Sequence, residues 1–404
     1  MEAIKNNQKT VYILRGGPGT GKSVVAINLL AECIHIGYMA QYITANAAPR
    51  NVYSAMLQQG YTKSEIKALF QSSGTFHTRK KNELQIAIVD EAHRLCEKSG
   101  MFQNQGEDQI KEIINASIFS VFFIDRNQRV TFSDAGTIDK IRYFGKKQNA
   151  LIYEGALESQ FLCNGSDGYL AWLDNALQIA ETANYDGFEG DYDFKIFDDP
   201  HDMYNAIKAK NDINNKSRIL AGYCWDWPKE GRTTSLIKDI QIPEYNFEIS
   251  WNLGNSDTYA IDPDSINEAG CIHTTQGLEF EYVGIIIGND LRYEDAKLIV
   301  DITKRAKTDQ SIKGIKKLLK ENPTEAHRIA NEIVKNTYRT LMTRGQKGCY
   351  IYCTNKGLSD YFKLIYNHQL SYTYEQSTLS KSDQLVADIP SSDIDITEIN
   401  PHKI

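Results

Sequence analysis

The sequence predicts an α/β protein whose sheets are mostly parallel. Short apolar runs that suit buried strands alternate with amphipathic runs that suit helices along most of the 404 residues, and this order favours parallel strands joined by helical crossovers. The expected buried strands are 40–44, 84–89, 120–124, 219–223, 283–287 and 349–353. The expected helices are 24–36, 110–116, 168–180, 203–210 and 325–342.

A glycine-rich loop lies between the first apolar run, 11–14, and the helical run that begins at residue 24. Glycines let the backbone N–H groups of such a loop point at a phosphate, and the helix that follows adds its positive N-terminal end. Lys22 is expected to reach the β- and γ-phosphates, and Ser23 to offer its hydroxyl to Mg²⁺. Strand, loop and helix together predict a site for a nucleoside triphosphate, taken to be ATP with Mg²⁺. The predicted loop consists of Gly16, Gly17, Pro18, Gly19, Thr20, Gly21, Lys22 and Ser23.

Two adjacent carboxylates end another apolar run, 86–89. A buried strand whose carboxyl end presents Asp-Glu places a metal ligand and a water-activating base beside a phosphate loop. Asp90 is therefore expected to hold Mg²⁺, directly or through water, and Glu91 to orient or deprotonate the attacking water. The alternative is an exposed acidic turn after a core strand. Close by, His93 either couples this site to a nucleic-acid groove or acts only as a structural hydrogen bonder.

A third apolar run, 121–124, also ends in polar residues. Gln128 is expected to hydrogen-bond the γ-phosphate and so to report whether it is present. The spacing Asp-x-x-Gln is common in loops, so this expectation rests on the order of the three elements along the chain.

Length, charge and cysteine content limit the classes of function. A chain of 404 residues is long enough for two to three domains. The net charge of −7 argues against a whole-surface nucleic-acid binder, but leaves room for a basic groove. The seven cysteines are scattered without a metal-binding spacing, as in a reducing compartment. The sequence has neither a membrane-spanning run nor a secretory signal, which predicts a cytoplasmic protein without a membrane partner.

Three regions are expected along the chain. Residues 1–150 carry the phosphate loop and the two strands that end in polar residues, and a polar turn at 145–149 suggests the boundary. Residues 151–373 carry a second set of strand and helix signals. Residues 374–404 are polar and acidic, which is typical of a flexible tail.

Further segments extend this pattern and resemble the superfamily 1 helicases. Residues 42–50 resemble motif Ia, 273–280 resemble motif V and 338–345 resemble motif VI. The resemblance implies two tandem RecA-like domains with ATP in the cleft between them. It implies that Arg344 is an arginine finger delivered by the second domain. It also implies contacts with nucleotide or strand from Gln276, Gly277 and Glu279, and contacts with the nucleic-acid strand from Thr44, Asn46, Arg50 and Thr274.

Four segments resemble a narrower group, the Schlafen group 3-like DNA/RNA helicase domain family. They are 159–161, 165–173, 221–227 and 274–280, and the resemblance covers about residues 9–356. Members of the family are often bacterial, which predicts a bacterial protein. Some carry a nuclease domain before the phosphate loop; here the first strand begins almost at Met1, so no such domain is expected.

One position departs from the family pattern. An arginine that reaches the γ-phosphate usually follows the Gln-Phe pair at 160–161, but this chain has Leu162. Losing that charge would cost several kcal/mol of transition-state stabilisation unless another group replaces it. The hypotheses are slow turnover, or compensation by Arg126 or Arg129.

Nucleic-acid contacts are also suggested by aromatic and basic residues. Trp225 and Trp227 follow an apolar strand and are expected to stack bases; the alternative is a core aromatic cluster. A basic run from 304 to 320 has helical spacing, which suits either a phosphate track or a solvated helix face.

The leading hypothesis is an ATP-dependent helicase or translocase acting on single-stranded DNA or RNA. The alternative is an ATP-driven switch or sensor that binds a partner protein without unwinding nucleic acid. A phosphotransferase is disfavoured because it gives no reason for the resemblance to motifs V and VI.

Overall fold

The structure of the protein is a computed structural model. It is built around two separate β-sheets, one in each half of the chain. The residues that it describes are 2–17, 19–58, 60–100, 104–125, 129–157, 163, 167–180, 188, 192–226, 236–252, 254 and 257–367.

The first sheet has six strands: β1 (Thr10–Gly16), β2 (Ala40–Thr44), β3 (Phe70–Ser72), β4 (Leu84–Val89), β5 (Ser117–Ile124) and β6 (Leu151–Leu157). Their order is β3-β2-β4-β5-β1-β6, and all neighbouring strands are parallel. The central strands are apolar because helices cover both faces of a parallel sheet. Since parallel strands end at one edge, the residues that follow β1, β4 and β5 meet there.

Six helices accompany this sheet: α1 (Glu2–Lys5), α2 (Lys22–His35), α3 (Ala47–Leu57), α4 (Lys63–Leu69), α5 (Gln109–Ala116) and α6 (Ile138–Lys147). Polar side chains cap several of their N-termini. Asn46 accepts a hydrogen bond from the backbone of α3, Thr62 and Glu65 form a capping box on α4, and Thr137 caps α6.

The first sheet extends past the expected domain boundary at residue 150. Strand β6 pairs in parallel with β1 along its whole length and forms the edge of the first sheet. The polar turn at 145–149 therefore connects α6 to β6 within the first domain. The composition of this turn suits any surface connection, so it does not distinguish a turn within a domain from a boundary between domains.

The second sheet has seven strands: β7 (Asp193–Phe197), β8 (Ser217–Ala221), β9 (Ile240–Ile242), β10 (Phe247–Trp251), β11 (Glu268–Gly270), β12 (Phe280–Ile287) and β15 (Gly345–Cys353). Their order is β7-β15-β12-β8-β11-β10-β9. All pairs are parallel except β9 with β10, which is antiparallel. The hairpin of β13 (Leu291–Glu294) and β14 (Lys297–Val300) stands apart from this sheet.

The helices of the second half are α7 (Asp167–Ala176), α8 (Pro200–Asn214), α9 (Ile272–Thr275), α10 (Ile315–Glu321) and α11 (Pro323–Met342), followed by helical residues 356–367. A buried ion-pair network holds the segment between β12 and α11. The guanidinium of Arg305 lies 2.8 Å from Asp290 and 2.6 Å from Asp309, with no exposed side-chain surface on any of the three. Full pairing lets such charges lie in the interior.

The predicted fold class is confirmed: the protein is α/β, with two tandem RecA-like domains and mostly parallel sheets. Each of the six expected strands and five expected helices overlaps an element of its type. The strands β3, β9, β10 and β11, the edge strands β6 and β7 and the hairpin were not expected. Among the described helices, none is both long and apolar enough to cross a membrane.

Candidate nucleotide site

The glycine-rich loop after β1 is folded tightly around Lys22. Gly19 and Gly21 have φ angles of 72° and 75°, a left-handed conformation that favours glycine. Lys22 begins α2 and is buried, and its Nζ donates to the carbonyl oxygens of Gly16 at 3.0 Å and Gly17 at 2.6 Å. The ammonium group therefore lies at the centre of the loop, where a phosphate-binding lysine is expected.

Asp90 lies beside the start of α2. Its Oδ2 accepts hydrogen bonds from Ser23 Oγ at 2.7 Å and from the Tyr42 hydroxyl at 2.6 Å, and its Oδ1 accepts from the backbone N–H of Glu91 at 2.9 Å. Burial and the charge of Glu91 raise the pKa of Asp90, while the two hydroxyl donors favour its carboxylate.

The Ser23–Asp90 pair fits Mg²⁺. Mg²⁺ prefers oxygen ligands and usually takes only one or two from protein, with water and phosphate oxygens completing its shell. Within the part of the chain that the structure describes, no cluster of three or more His, Cys, Asp or Glu side chains could hold a metal by itself. A metal at this pair would therefore depend on oxygen atoms from water or a nucleotide.

Glu91 is held in an unusual backbone conformation. Its φ and ψ are 52° and 46°, in the left-handed region, which costs a non-glycine residue on the order of 1 kcal/mol. Burial alone would raise the pKa of its carboxyl, but the interactions with His93 first and then with Lys22 hold that pKa below the usual value. A buried, strained and ionised carboxylate suits the expected role of general base.

The second domain completes the same pocket. Gly277, Glu279 and Arg344 line it opposite the phosphate loop and Glu91. The Arg344 guanidinium donates to the carbonyl oxygens of Thr340 at 3.0 Å and Leu278 at 3.2 Å. The free space between the walls is about 30 Å³, enough for water but not for a nucleotide. We therefore expect the two walls to move apart when a nucleotide enters.

Gln276 joins the domains beside this pocket. Its side chain has no exposed surface: Oε1 accepts from Arg94 Nη1 at 2.5 Å, and Nε2 lies 3.3 Å from His93 Nε2. The backbone oxygen of Gln276 accepts from Asn46 Nδ2 at 3.0 Å. Nε2 of His93 also lies 3.1 Å from Glu91 Oε2, so one imidazole contacts a residue of each domain. Gln276 itself does not line the pocket.

The residues expected to contact a nucleic-acid strand are engaged within the protein. Thr44 is fully buried, and Arg50 donates from one Nη1 to the carbonyl oxygens of Thr44 and Asn46 at 2.5 and 3.0 Å. Thr274 Oγ1 accepts from the backbone N–H of Cys271 at 3.0 Å and caps α9. In this conformation these groups stabilise the edges of both sheets.

The basic run from 304 to 320 divides into two sets. Arg305 is buried in the ion-pair network and cannot face a phosphate, which corrects that member of the run. The lysines are exposed, but the run does not form the single helix that its spacing predicted, because only Lys316, Lys317 and Lys320 lie in α10 and the others precede it: Lys304, Lys307 and Lys313.

Arg129 does not lie in the nucleotide pocket. It donates to the carbonyl oxygen of Phe132 at 3.0 Å, and its guanidinium lies 3.9 Å from Glu332 of α11. Compensation for the missing arginine at position 162 by Arg129 therefore finds no support in its position. The remaining predicted residues lie outside the described residues: Pro18, Arg126, Gln128, Leu162 and Trp227.

Three residues of the site were not predicted. Asp125 follows β5 at the same edge of the sheet, and its Oδ2 lies 3.9 Å from Lys22 Nζ. Its position after an apolar strand would have allowed the sequence to predict it as a site residue. Tyr42 gave no signal, because a tyrosine inside an apolar strand resembles core. Arg94 stands directly after His93, but its contact with Gln276 depends on how the domains meet.

The sequence profile of the Schlafen group 3 DNA/RNA helicase domain family matches residues 9–355. The chain belongs to that family. In this chain the glycine-rich loop of the first domain and Arg344 of the second line one pocket. An uncharacterised protein of Saccharomyces cerevisiae is 24% identical over 392 residues, covering 87% of this chain and 83% of its own length. Because that relative is a yeast protein, it does not support the expected bacterial source.

Solved helicase structures resemble the chain at low similarity. An arterivirus nonstructural protein 10 helicase, solved with DNA, is 13% identical with a TM-score of 0.36; the match covers 90% of this chain and 65% of that protein. A Bacteroides Pif1 helicase, solved with ADP-AlF4, is 12% identical with a TM-score of 0.27. The match covers 77% of this chain and 89% of the Pif1 chain. This chain thus spans slightly less than two thirds of the arterivirus protein.

Proposed function

We propose that the protein is an ATP-dependent helicase or single-strand translocase that couples ATP hydrolysis to movement on DNA or RNA. One observation carries the proposal: Lys22 and Glu91 of the first domain and Arg344 of the second line one pocket. A site divided between two domains makes hydrolysis depend on their closure. Membership of a helicase-domain family supports the same function.

The residues present fit ATP with Mg²⁺. The loop of residues 16–23 would hold the phosphates, and Ser23 and Asp90 would hold the metal. Bound Mg²⁺ would neutralise charge on the phosphate oxygens. Glu91 would take the proton of the attacking water, and Arg344 would face the negative charge that develops on the γ-phosphate.

Steady-state ATP hydrolysis with and without single-stranded DNA and RNA tests the proposal. We expect one polymer to raise the rate at least about tenfold, since strand binding would favour the closed cleft. The rise should disappear in Lys22→Ala, which removes the ammonium at the phosphates. Exposed Lys63, in α4, gives a matched control: Lys63→Ala should keep the stimulation. Hydrolysis that ignores both polymers would contradict the proposal.

An ATP-driven switch that regulates a partner protein is the second candidate. The internal hydrogen bonds of Arg50 and Asn46 favour it, because these residues are expected strand contacts and here they bind other parts of the protein. A switch would hydrolyse ATP at a rate indifferent to nucleic acid, and would change its affinity for a protein partner between the ATP and ADP states.

A further inference from the structure

A second cavity, of about 260 Å³, lies at the carboxyl edge of the second sheet. Several residues that line it come shortly after the ends of three neighbouring strands: Cys224 and Trp225 after β8, Asn289 after β12 and Thr354 after β15. From β8 the chain runs to β9 at one edge of the sheet and returns through β10 and β11, whereas β12 lies on the other side of β8. Ligands of open parallel sheets bind in the crevice at such a change of direction.

The lining joins an aromatic face to several polar groups. Trp225 is half-buried and packs on the core of the second domain. The backbone of Gly288 approaches Cys224 closely and contacts the ring, since a Cβ there would lie 2.3 Å from Cys224 Sγ and 3.5 Å, an ordinary contact distance, from Trp225 Cη2. Exposed Asn289 and Glu244 supply an amide and a carboxylate at the rim. This combination fixes the ring while leaving hydrogen-bonding groups free to reach a planar ligand.

Lys304 adds a positive charge at the mouth of the cavity. Its side chain is exposed and makes no ion pair with any residue that the structure describes, whereas the adjacent Arg305 is fully paired. An indole face, an amide and a free ammonium together match one base of a nucleic-acid strand and its phosphate. The volume is below the range typical of sites for larger ligands, so the cavity suits a single base.

We propose that this cavity holds one unpaired nucleobase of the bound strand, stacked on Trp225, with Lys304 on the adjacent phosphate. This inference rests on the proposed function, which supplies the strand, and adds where a base is held. Asn289 and Glu244 can each bond the edge of a base, Glu244 accepting from an exocyclic amino group. The site therefore favours bases with an exocyclic amino group, which are adenine, cytosine and guanine, over thymine or uracil, which lack one.

The floor of the cavity is bonded to the helix that leads to Arg344. The Tyr338 hydroxyl, in α11, donates to Asp290 Oδ1 at 2.5 Å and accepts from the backbone N–H of Gly288 at 3.0 Å. The Sγ of Cys224 lies 3.9 Å from the same hydroxyl. Because α11 ends just before Arg344, a base in the cavity is joined by direct contacts to the element that carries the arginine.

Binding of labelled single-stranded oligonucleotides, measured by fluorescence anisotropy, tests the cavity. The probes are oligo-dA, oligo-dT and a strand of equal length with abasic sites. We expect Trp225→Ala to weaken oligo-dA binding about tenfold and to remove the preference for oligo-dA over the abasic strand. Trp225→Phe should restore part of that preference. Tyr153→Ala, at an exposed aromatic of β6 far from the cavity, should change nothing.

Each result of the binding measurements either supports the cavity proposal or overturns it. Equal losses on base-containing and abasic strands, or no loss, would overturn the cavity proposal while leaving the proposed function intact. Failure of the unaltered protein to bind any strand would overturn both. Tyr338→Phe tests the connection to α11: the ratio of strand-stimulated to basal ATP hydrolysis should fall several-fold while oligonucleotide affinity changes little. An unchanged ratio would show that the floor does not transmit binding.

Discussion

Arg94 of the first domain donates to Gln276 Oε1 of the second over 2.5 Å, and this hydrogen bond spans the interdomain cleft. Arg94 is itself held, because its Nε lies 3.2 Å from Asp134 Oδ1. Gln276 precedes Gly277, which has a φ of 81° and lines the nucleotide pocket. The contact therefore joins one wall of the pocket to the other, and we expect it to break when the cleft opens.

The first prediction concerns this contact. Gln276→Ala and Arg94→Ala should each lower the free energy of unfolding, and the double variant should lose less than the sum. A hydrogen bond to a charged group contributes roughly 1.5 to 3 kcal/mol, so the coupling energy should lie in that range. Urea unfolding of the four proteins measures it. Strict additivity would show that the contact does not stabilise the closed arrangement.

Glu91 gives the second prediction. Glu91→Gln keeps the shape of the side chain but removes the proton acceptor, so ATP hydrolysis should fall at least about 100-fold. Affinity for ATP should change little, which nucleotide titration at equilibrium would measure. Glu154→Gln, at the edge of the first sheet, is the matched control. Hydrolysis by Glu91→Gln at the unaltered rate would exclude Glu91 as the base.

Ser23 gives the third prediction. If its hydroxyl is a metal ligand, Ser23→Ala should raise the Mg²⁺ concentration needed for half-maximal ATP hydrolysis about tenfold, because one oxygen ligand is lost. Ser64→Ala, at an exposed serine of α4, should leave the Mg²⁺ dependence unchanged. An unchanged Mg²⁺ requirement in Ser23→Ala would argue against ligation by this hydroxyl.

The first domain was largely predictable from sequence because its site is local. Lys22 and Ser23 come from one loop, and Asp90 and Glu91 come from one strand end, so each pair and its flanking strand or helix suggest a role from the sequence. Parallel strands then bring the two segments to one edge. The contact between Ser23 and Asp90 at 2.7 Å follows from that rule.

The contacts between domains were less predictable. Gln276 was assigned to nucleotide or strand because its motif suggested a ligand, yet its side chain contacts Arg94 and His93. Such a contact depends on the rigid-body placement of two domains, which no local pattern encodes. The position of Arg305 was equally hard to predict. Its place in a basic run suggested that its side chain lies at the surface, but it is buried and paired with Asp290 and Asp309.

Arg344 gives the fourth prediction. Its guanidinium now bonds two backbone carbonyl oxygens, and closure on ATP would turn it to the γ-phosphate. Arg344→Ala should lower kcat for ATP hydrolysis roughly 100-fold or more while the KM for ATP changes little, because the charge acts mainly in the transition state. Arg142→Ala, at a surface ion pair of α6, is the control. A rise in KM with kcat unchanged would instead indicate a binding role.

The last prediction concerns the stability of the folded protein at acidic pH. Burial and the charge of Arg94 lower the pKa of His273 from 6.5 to about 4. Between these pH values the unfolded chain binds the proton more readily than the folded one, so stability is complete above pH 6.5 and falls as the pH approaches 4. The lowered pKa of His93 acts in the same direction.

The His273 shift implies a loss of about 2 kcal/mol across that range, after allowing for partial exposure of the ring. His273→Gln should therefore show a shallower decline of its urea midpoint between pH 7 and 4.5 than the unaltered protein, since glutamine does not titrate. His35→Gln, at an exposed histidine of α2, should leave the slope as it is. Identical slopes for all three proteins would mean that His273 is solvated in the folded state, and that the two domains are less closely packed around it than the structure indicates.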